Sequence, residues 1–266
     1  MTALSLDSIR ALIIDVDGVL WRGSLAMPGV PALFDFLSAH KIKFIIATNN
    51  AARPASEIIE RMAAMGIRVN ESQVLTSSEA TALYLRRIVS RGARVLVIGG
   101  EGLTDAMTRA GYDLVTQDAD VVVAGLDMSV TYDKIKRAAL EIRRGAKFVG
   151  TNADKTLPSA EGDIPGAGAI IAAIQAATDV APLIIGKPER AMFDIAVEQL
   201  QAARETVAML GDRLDTDIEG AQRAGLKSIL VMTGVTTRES LAQSKVRPDF
   251  VFENLDVLRE MWQRAY

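Results

Sequence analysis

Short apolar runs alternate with amphipathic stretches along most of this 266-residue chain. Such alternation is typical of parallel strands that are connected by helices covering both faces of a sheet. Glycines close several of the amphipathic stretches, as at Gly66, Gly111, Gly145 and Gly225, where a helix end favours a residue without a side chain. The pattern therefore predicts an α/β fold built on a doubly wound parallel sheet.

Three of the predicted strands run directly into polar residues. These strands are residues 11–14, followed by Asp15-Val-Asp17; residues 44–47, followed by Thr48-Asn-Asn50; and residues 207–210, followed by Gly211-Asp212. In open α/β sheets, ligands bind beyond the carboxyl ends of the strands. If the three strands are neighbours, we expect Asp15, Asp17, Thr48 and Asp212 to meet in one crevice.

The residue types at these strand ends indicate a chemistry. Four acids, Asp15, Asp17, Asp212 and Asp217, would crowd negative charge together, which is costly unless a cation neutralises it. Hard carboxylate oxygens suit Mg²⁺. The remaining groups bind anions; they are Thr48, the backbone N–H groups of Asn49 and Asn50, and Lys187. Acids for a metal beside donors for an anion predict phosphoryl transfer.

Composition excludes several other classes of protein. The chain has no cysteine, so it has no disulfide, thiolate nucleophile or cysteine zinc site. Its single histidine, His40, lies at the polar end of a predicted helix, which argues against a Ser-His-Asp triad, and one histidine cannot form a multi-histidine metal site. With a net charge of −3 and no basic tract, we expect no nucleic-acid partner. Its apolar runs are too short to span a bilayer and residues 1–10 lack a signal-peptide pattern, so we expect no membrane partner and a cytoplasmic location.

Four segments of the chain resemble the four motifs of the haloacid dehalogenase (HAD) superfamily. They are DVDGVL from Asp15, ATNN around Thr48, GKP around Lys187 and GDRLDTD around Asp212. Their order is that of the superfamily, and they enclose most of the chain. The second aspartate, Asp17, matches the phosphatases and phosphomutases of the superfamily, because the dehalogenase pattern lacks an acid there.

The resemblance implies a role for each matching residue. Asp15 resembles the nucleophile that becomes an aspartyl phosphate, and Asp17 the general acid and base. Mg²⁺ would be bound by Asp15, Asp212 and the backbone carbonyl of Asp17, with Asp217 holding a metal-bound water. The phosphoryl oxygens would be bound by Thr48, Asn49, Asn50 and Lys187. The implied enzyme is a Mg²⁺-dependent phosphatase acting on a small phosphorylated metabolite.

The stretch between Thr48 and Lys187 is much longer than one crossover connection requires. We therefore expect residues 81–182 to form a smaller inserted α/β cap domain, and residues 1–80 with 183–266 to form the Rossmann-like catalytic core. A cap at this position, together with TNADKTLPSAEGDIPGAG, resembles the NagD-type, p-nitrophenyl-phosphatase-like branch. In that branch the segment lies near the substrate, which implies that Asn152 and Asp154 determine specificity.

Several questions stay open at this point. The substrate classes that fit the branch include p-nitrophenyl phosphate, sugar phosphates, phosphoglycolate and pyridoxal phosphate. The same aspartyl phosphate could serve a phosphotransferase or phosphomutase, and a non-catalytic regulatory protein on this fold is a third alternative. The oligomeric state is open as well, although cap-mediated homodimers occur in the branch.

Overall fold

The computed structural model describes residues 5–51, 54–159 and 161–265. We expected residues 1–10 to lack a signal-peptide pattern, and the first four of these residues lie outside the described ranges. The strands are β1 (Ala11–Ile14), β2 (Trp21–Arg22), β3 (Leu25–Ala26), β4 (Lys43–Thr48), β5 (Val74–Thr76), β6 (Arg94–Ile98), β7 (Asp113–Leu114), β8 (Val121–Ala124), β9 (Lys147–Gly150), β10 (Thr156–Ser159), β11 (Gly162–Pro165), β12 (Leu183–Ile184), β13 (Val207–Gly211), β14 (Lys227–Val231) and β15 (Phe250–Phe252). The α-helices are α1 (Val30–Ala39), α2 (Ala55–Ala64), α3 (Ser77–Leu85), α4 (Glu101–Arg109), α5 (Tyr132–Arg143), α6 (Ala167–Thr178), α7 (Arg190–Leu200), α8 (Glu219–Arg223), α9 (Arg238–Gln243) and α10 (Leu255–Ala265).

The chain divides into two compact units, of which the first comprises Met1–Thr48, Ile58–Leu75 and Lys187–Tyr266. Its six-stranded sheet has the order β15-β14-β13-β1-β4-β5. Counted along the chain, this is the strand order of a doubly wound sheet, whose direction of winding reverses beside β1. Every residue of β1 and of β13 is buried, because strands covered by helices on both faces read as continuous apolar runs.

The second unit comprises Asn49–Glu57 and Thr76–Gly186. Its five-stranded sheet has the order β12-β9-β8-β6-β7, and each of the paired neighbours runs parallel. Helices α5 and α6 pack on this sheet through a core that includes Ile142 and Ile174. An antiparallel hairpin of β10 and β11 precedes α6. Both units are therefore parallel sheets with helices, which confirms the predicted α/β class.

The predicted domain boundaries at residues 80/81 and 182/183 stay a prediction. The chain passes between the two units at four places, which are Thr48/Asn49, Glu57/Ile58, Leu75/Thr76 and Gly186/Lys187. Strand β12 pairs with β9 in the second unit, whereas the predicted core began at residue 183. Within the described ranges, none of the helices has the length and apolar character needed to cross a membrane.

One helix is shorter than its sequence pattern indicates. The pattern predicts a helix over residues 78–91, but α3 ends at Leu85 and turns follow it. Ile88, Val89 and Ser90 lie in the missing part, and β-branched residues and serine have lower helix propensity than straight-chain residues.

Candidate active site

Three neighbouring strands of the first unit carry the predicted site residues at one edge of the sheet. Ile14 of β1 is aligned with Ile46 of β4 and with Leu210 of β13. Asp15 follows β1 directly, Thr48 is the last residue of β4, and Asp212 follows β13. The condition stated for these three strands, that they are neighbours, is met, and they lie at the point where the winding of the sheet reverses.

Three carboxylates of this edge form a buried cluster. One oxygen from each of Asp15, Asp212 and Asp217 lies within 4.8 Å of the other two. Asp217 belongs to a π-helical turn, Leu214–Ile218, and its Oδ2 accepts a hydrogen bond from the Arg213 backbone N–H at 3.1 Å. Asp17, in contrast, is exposed and its carboxylate does not belong to this cluster.

Lys187 supplies the positive charge of the cluster. Its side chain is only 3% exposed, and its ammonium group donates to Asp15 Oδ1, to Asp217 Oδ1 at 2.7 Å and to the Ala47 carbonyl at 3.2 Å. A buried ammonium with three acceptors holds the two carboxylates in fixed positions. We call Asp15, Lys187, Asp212 and Asp217 the carboxylate cluster.

The charges of the carboxylate cluster shift one another's pKa values. Burial raises the pKa of Asp15, although the charge of Lys187 opposes this. Burial, and then repulsion from Asp15 and Asp217, raises the pKa of Asp212 to about 8. Burial raises the pKa of Asp217 to about 6. Burial lowers the pKa of Lys187, but attraction to Asp15 and Asp217 outweighs it, so that the pKa is raised.

The carboxylate cluster fits a divalent cation. Asp212 Oδ2 accepts a hydrogen bond from the Val235 N–H at 2.6 Å, whereas its buried Oδ1 has no hydrogen-bond partner among the described residues. Three carboxylates and one ammonium also leave excess negative charge in a buried place, which is unfavourable without a cation. Asp15, Asp212 and Asp217 are therefore the side chains that could hold the metal.

Two glycines, Gly18 and Gly234, pack closely against the Asp212 carboxylate, and the sequence analysis did not predict this contact. A Cβ on Gly18, which has φ of +85°, would lie 2.6 Å from Asp212 Oδ2, and a Cβ on Gly234 would collide with the same oxygen. Gly234 and Val235 lie just beyond β14, the neighbour of β13. The strand-end rule, had it been applied to β14 as well, would have found them.

The protein without a bound cation should become less stable as pH rises from about 4 to about 8. The folded-state pKa values of Asp212 and Asp217, about 8 and about 6, exceed the ordinary value of 3.8, so in this window the folded state binds more protons than the unfolded state. Urea unfolding with a chelator at about pH 5 and about pH 8 measures the effect. Mg²⁺ should reduce the difference, and equal stability at both pH values would contradict the expectation.

Asn49 lies in the second unit, and its side-chain amide and backbone carbonyl are hydrogen-bonded to residues of that unit. Its side-chain amide donates to both carboxylate oxygens of Asp154, at 3.3 and 3.2 Å, and its carbonyl accepts from Ser77 Oγ at 2.7 Å and from Asn152 Nδ2. Asn50 is half-buried. The structure thus brings together Asn49, Asn152 and Asp154, a grouping that the sequence reading did not predict.

The chain is similar to known phosphatases along nearly its whole length. The family model for haloacid dehalogenase-like hydrolases matches residues 12–113, and a HAD-hydrolase-like model matches residues 184–258. An acid sugar phosphatase of Staphylococcus saprophyticus is 38% identical over 254 residues, which cover 95% of this chain and 98% of that protein.

Solved structures of phosphatases are also similar to this chain over nearly its whole length. A 4-nitrophenylphosphatase from Thermotoga maritima superposes with a TM-score of 0.91 at 36% identity, covering 96% of this chain and 98% of that one. A glycerol phosphate phosphatase from Mycobacterium tuberculosis, solved in complex with magnesium, superposes with a TM-score of 0.88 at 34% identity, covering 98% of this chain and 79% of that one.

Proposed function

This chain belongs to the haloacid dehalogenase-like hydrolase family, in its NagD-type branch, and is a phosphatase; on that premise we propose that it hydrolyses small phosphate monoesters with Mg²⁺ through an aspartyl phosphate on Asp15. The observation that carries the proposal is the carboxylate cluster, in which Lys187 donates to Asp15 and a buried oxygen of Asp212 has no hydrogen-bond partner among the described residues. A nucleophile next to a place for a cation is what phosphoryl transfer requires.

The proposed reaction has two steps. A carboxylate oxygen of Asp15 attacks phosphorus, the bond from phosphorus to the leaving oxygen breaks, and Asp17 gives its proton to that oxygen. Water then attacks the aspartyl phosphate, Asp17 takes a proton from the water, and the bond from phosphorus to Asp15 breaks to release inorganic phosphate. Asp17 is exposed, as a group that exchanges protons with substrate and water has to be.

The other residues of the proposal bind and orient. Lys187 holds Asp15 in place, and Thr48 with the N–H groups of Asn49 and Asn50 would bind the phosphoryl oxygens. Asp15, Asp212 and the Asp17 carbonyl would bind Mg²⁺, with Asp217 holding a water on the cation. When bound, the cation neutralises charge on the carboxylates and on the phosphoryl oxygens.

Sugar phosphates are the first substrates to test, together with p-nitrophenyl phosphate and glycerol phosphate. The named relatives are an acid sugar phosphatase, a 4-nitrophenylphosphatase and a glycerol phosphate phosphatase. Phosphoglycolate and pyridoxal phosphate should be tested as substrates as well. The role of the second unit as a cap, with Asn152 and Asp154 determining specificity, stays a prediction, which kcat/KM across such a panel would test.

The direct test measures phosphate release from p-nitrophenyl phosphate with and without Mg²⁺, and looks for a phosphoryl group on Asp15 by mass spectrometry after an acid quench. We expect release that depends on Mg²⁺ and needs no added acceptor. A requirement for an alcohol acceptor would instead indicate a phosphotransferase, and turnover without any phosphorylated protein would contradict the covalent intermediate.

An Asp17→Asn variant should lose about 10²–10⁴-fold in kcat, the range typical for removal of a general acid or base. The loss should be smaller for p-nitrophenyl phosphate than for a sugar phosphate, because nitrophenolate leaves without needing a proton. Single-turnover kinetics with both substrates would separate phosphorylation from dephosphorylation. Full activity of Asp17→Asn with a sugar phosphate would contradict its acid–base role.

A further inference from the structure

Residues of the second unit hold both the backbone carbonyl and the side-chain amide of Asn49. We call Asn49, Ser77, Asn152, Asp154 and Gly186 the Asn49 cluster. Ser77 and Asn152 donate to the carbonyl oxygen of Asn49, and Asp154 accepts from its side-chain amide. Asn49 is only 8% exposed, so these hydrogen bonds are partly shielded from competing water.

Glycine residues pack closely against Asp154 and Asn49. The Asp154 carbonyl accepts a hydrogen bond from the Gly168 N–H at 2.9 Å, and a Cβ on Gly166 would collide with the same carbonyl. A Cβ on Gly186 would lie only 2.7 Å from Asn49 Oδ1. The close approach of these glycines leaves Asp154 and Asn49 little freedom to move apart.

The hydrogen bonds to the Asn49 carbonyl also determine where the next N–H points. In a trans peptide the C=O and the N–H point in opposite directions. Because Ser77 and Asn152 hold the Asn49 carbonyl, the N–H of Asn50 is directed away from them. The contact of the Asn49 side chain with Asp154 holds Asn49 itself, the residue on the N-terminal side of this peptide.

We propose that Asp154 is a positioning residue, which acts through the Asn49 side chain to orient the backbone N–H groups that bind the phosphoryl group. The proposal rests on the proposed function, in which the N–H groups of Asn49 and Asn50 bind phosphoryl oxygens. Donors held in place before the reaction stabilise developing charge without a cost of reorganisation. A phosphoryl group is common to every substrate, so loss of Asp154 should affect all of them alike.

The Asp154→Ala variant tests the proposal with inorganic phosphate as a competitive inhibitor, because phosphate has no leaving group to be recognised. We expect its inhibition constant to rise roughly tenfold, the effect of one lost hydrogen bond to a charged group. The value of kcat/KM should fall by a similar factor for p-nitrophenyl phosphate and for a sugar phosphate. Asp113→Ala, at an exposed aspartate of the same unit, is the matched control and should leave all three values unchanged.

A reversed pair provides the second test. Asn49→Asp places two carboxylates against each other and should weaken phosphate inhibition further than Asp154→Ala does. Adding Asp154→Asn restores one amide and one carboxylate with their positions exchanged, and phosphate inhibition should recover. Failure of the double variant to recover would overturn the role of the pair.

A different outcome would assign Asp154 to leaving-group selection. In that case the inhibition constant of phosphate stays at the wild-type value in Asp154→Ala while KM changes for one substrate class only, which overturns the positioning role. The proposed function itself would fail on another result, the absence of Mg²⁺-dependent turnover in the wild-type protein.

Discussion

Asp15→Asn should lose phosphatase activity by roughly 10⁴- to 10⁶-fold, the range observed when a member of a covalent catalytic group is removed. An amide oxygen is a poor nucleophile, so the aspartyl phosphate cannot form. The fold should persist, because Lys187 keeps its hydrogen bonds to Asp217 at 2.7 Å and to the Ala47 carbonyl at 3.2 Å.

Phosphate release from p-nitrophenyl phosphate, measured with Mg²⁺ in excess, is the appropriate assay. Thermal unfolding of the same sample establishes that the variant is folded. Asp35→Asn, at an exposed aspartate of α1, is the matched control and should retain wild-type turnover. Activity of a folded Asp15→Asn protein within tenfold of the wild type would exclude Asp15 as the nucleophile.

Lys187→Met should lose both activity and stability. The substitution keeps a long, unbranched side chain but removes the ammonium group from three buried acids, and removal of one partner of a buried ion pair costs about 3–5 kcal/mol. The loss should be largest at about pH 8 without Mg²⁺. It should shrink at about pH 5, where Asp212 and Asp217 take up protons, since their pKa values are about 8 and about 6.

The free energy of unfolding from urea titrations measures this effect, with and without Mg²⁺. Lys245→Met removes an exposed lysine and is the control; it should change stability by less than about 0.5 kcal/mol. A Lys187→Met protein as stable as the wild type at high pH without Mg²⁺ would mean that Lys187 does not compensate the charges of the cluster.

Most of the fold was predictable because its signals are local. A strand such as β13, buried over its whole length, appears as a continuous apolar run, and α2 is followed by Gly66, whose φ of +78° favours glycine. The hairpin β10–β11 was not predicted, since its pattern of polar residues, glycine and proline reads as a loop. The end of α3 at Leu85 was likewise missed, although the low helix propensity of the residues that follow it is a local signal.

The strand-end residues of the site were predictable for a related reason. Asp15, Thr48 and Asp212 each lie at or next to the end of an apolar run, and parallel strands place such ends on one edge of the sheet. The spacing of Lys187, Asp15 and Asp217 along the chain did not require the contacts of Lys187 with the two carboxylates, which only the tertiary structure shows.

The amino-acid sequence by itself determined the class of fold, the strand ends that carry the acids and the kind of chemistry those acids support. These features follow from residues that are neighbours along the chain. Only the tertiary structure decided that Gly18 and Gly234 enclose Asp212, and that Asn49 is bound by Asp154, 105 residues away. Contacts of this kind depend on how distant segments pack, and neither residue carries a local signal of its partner.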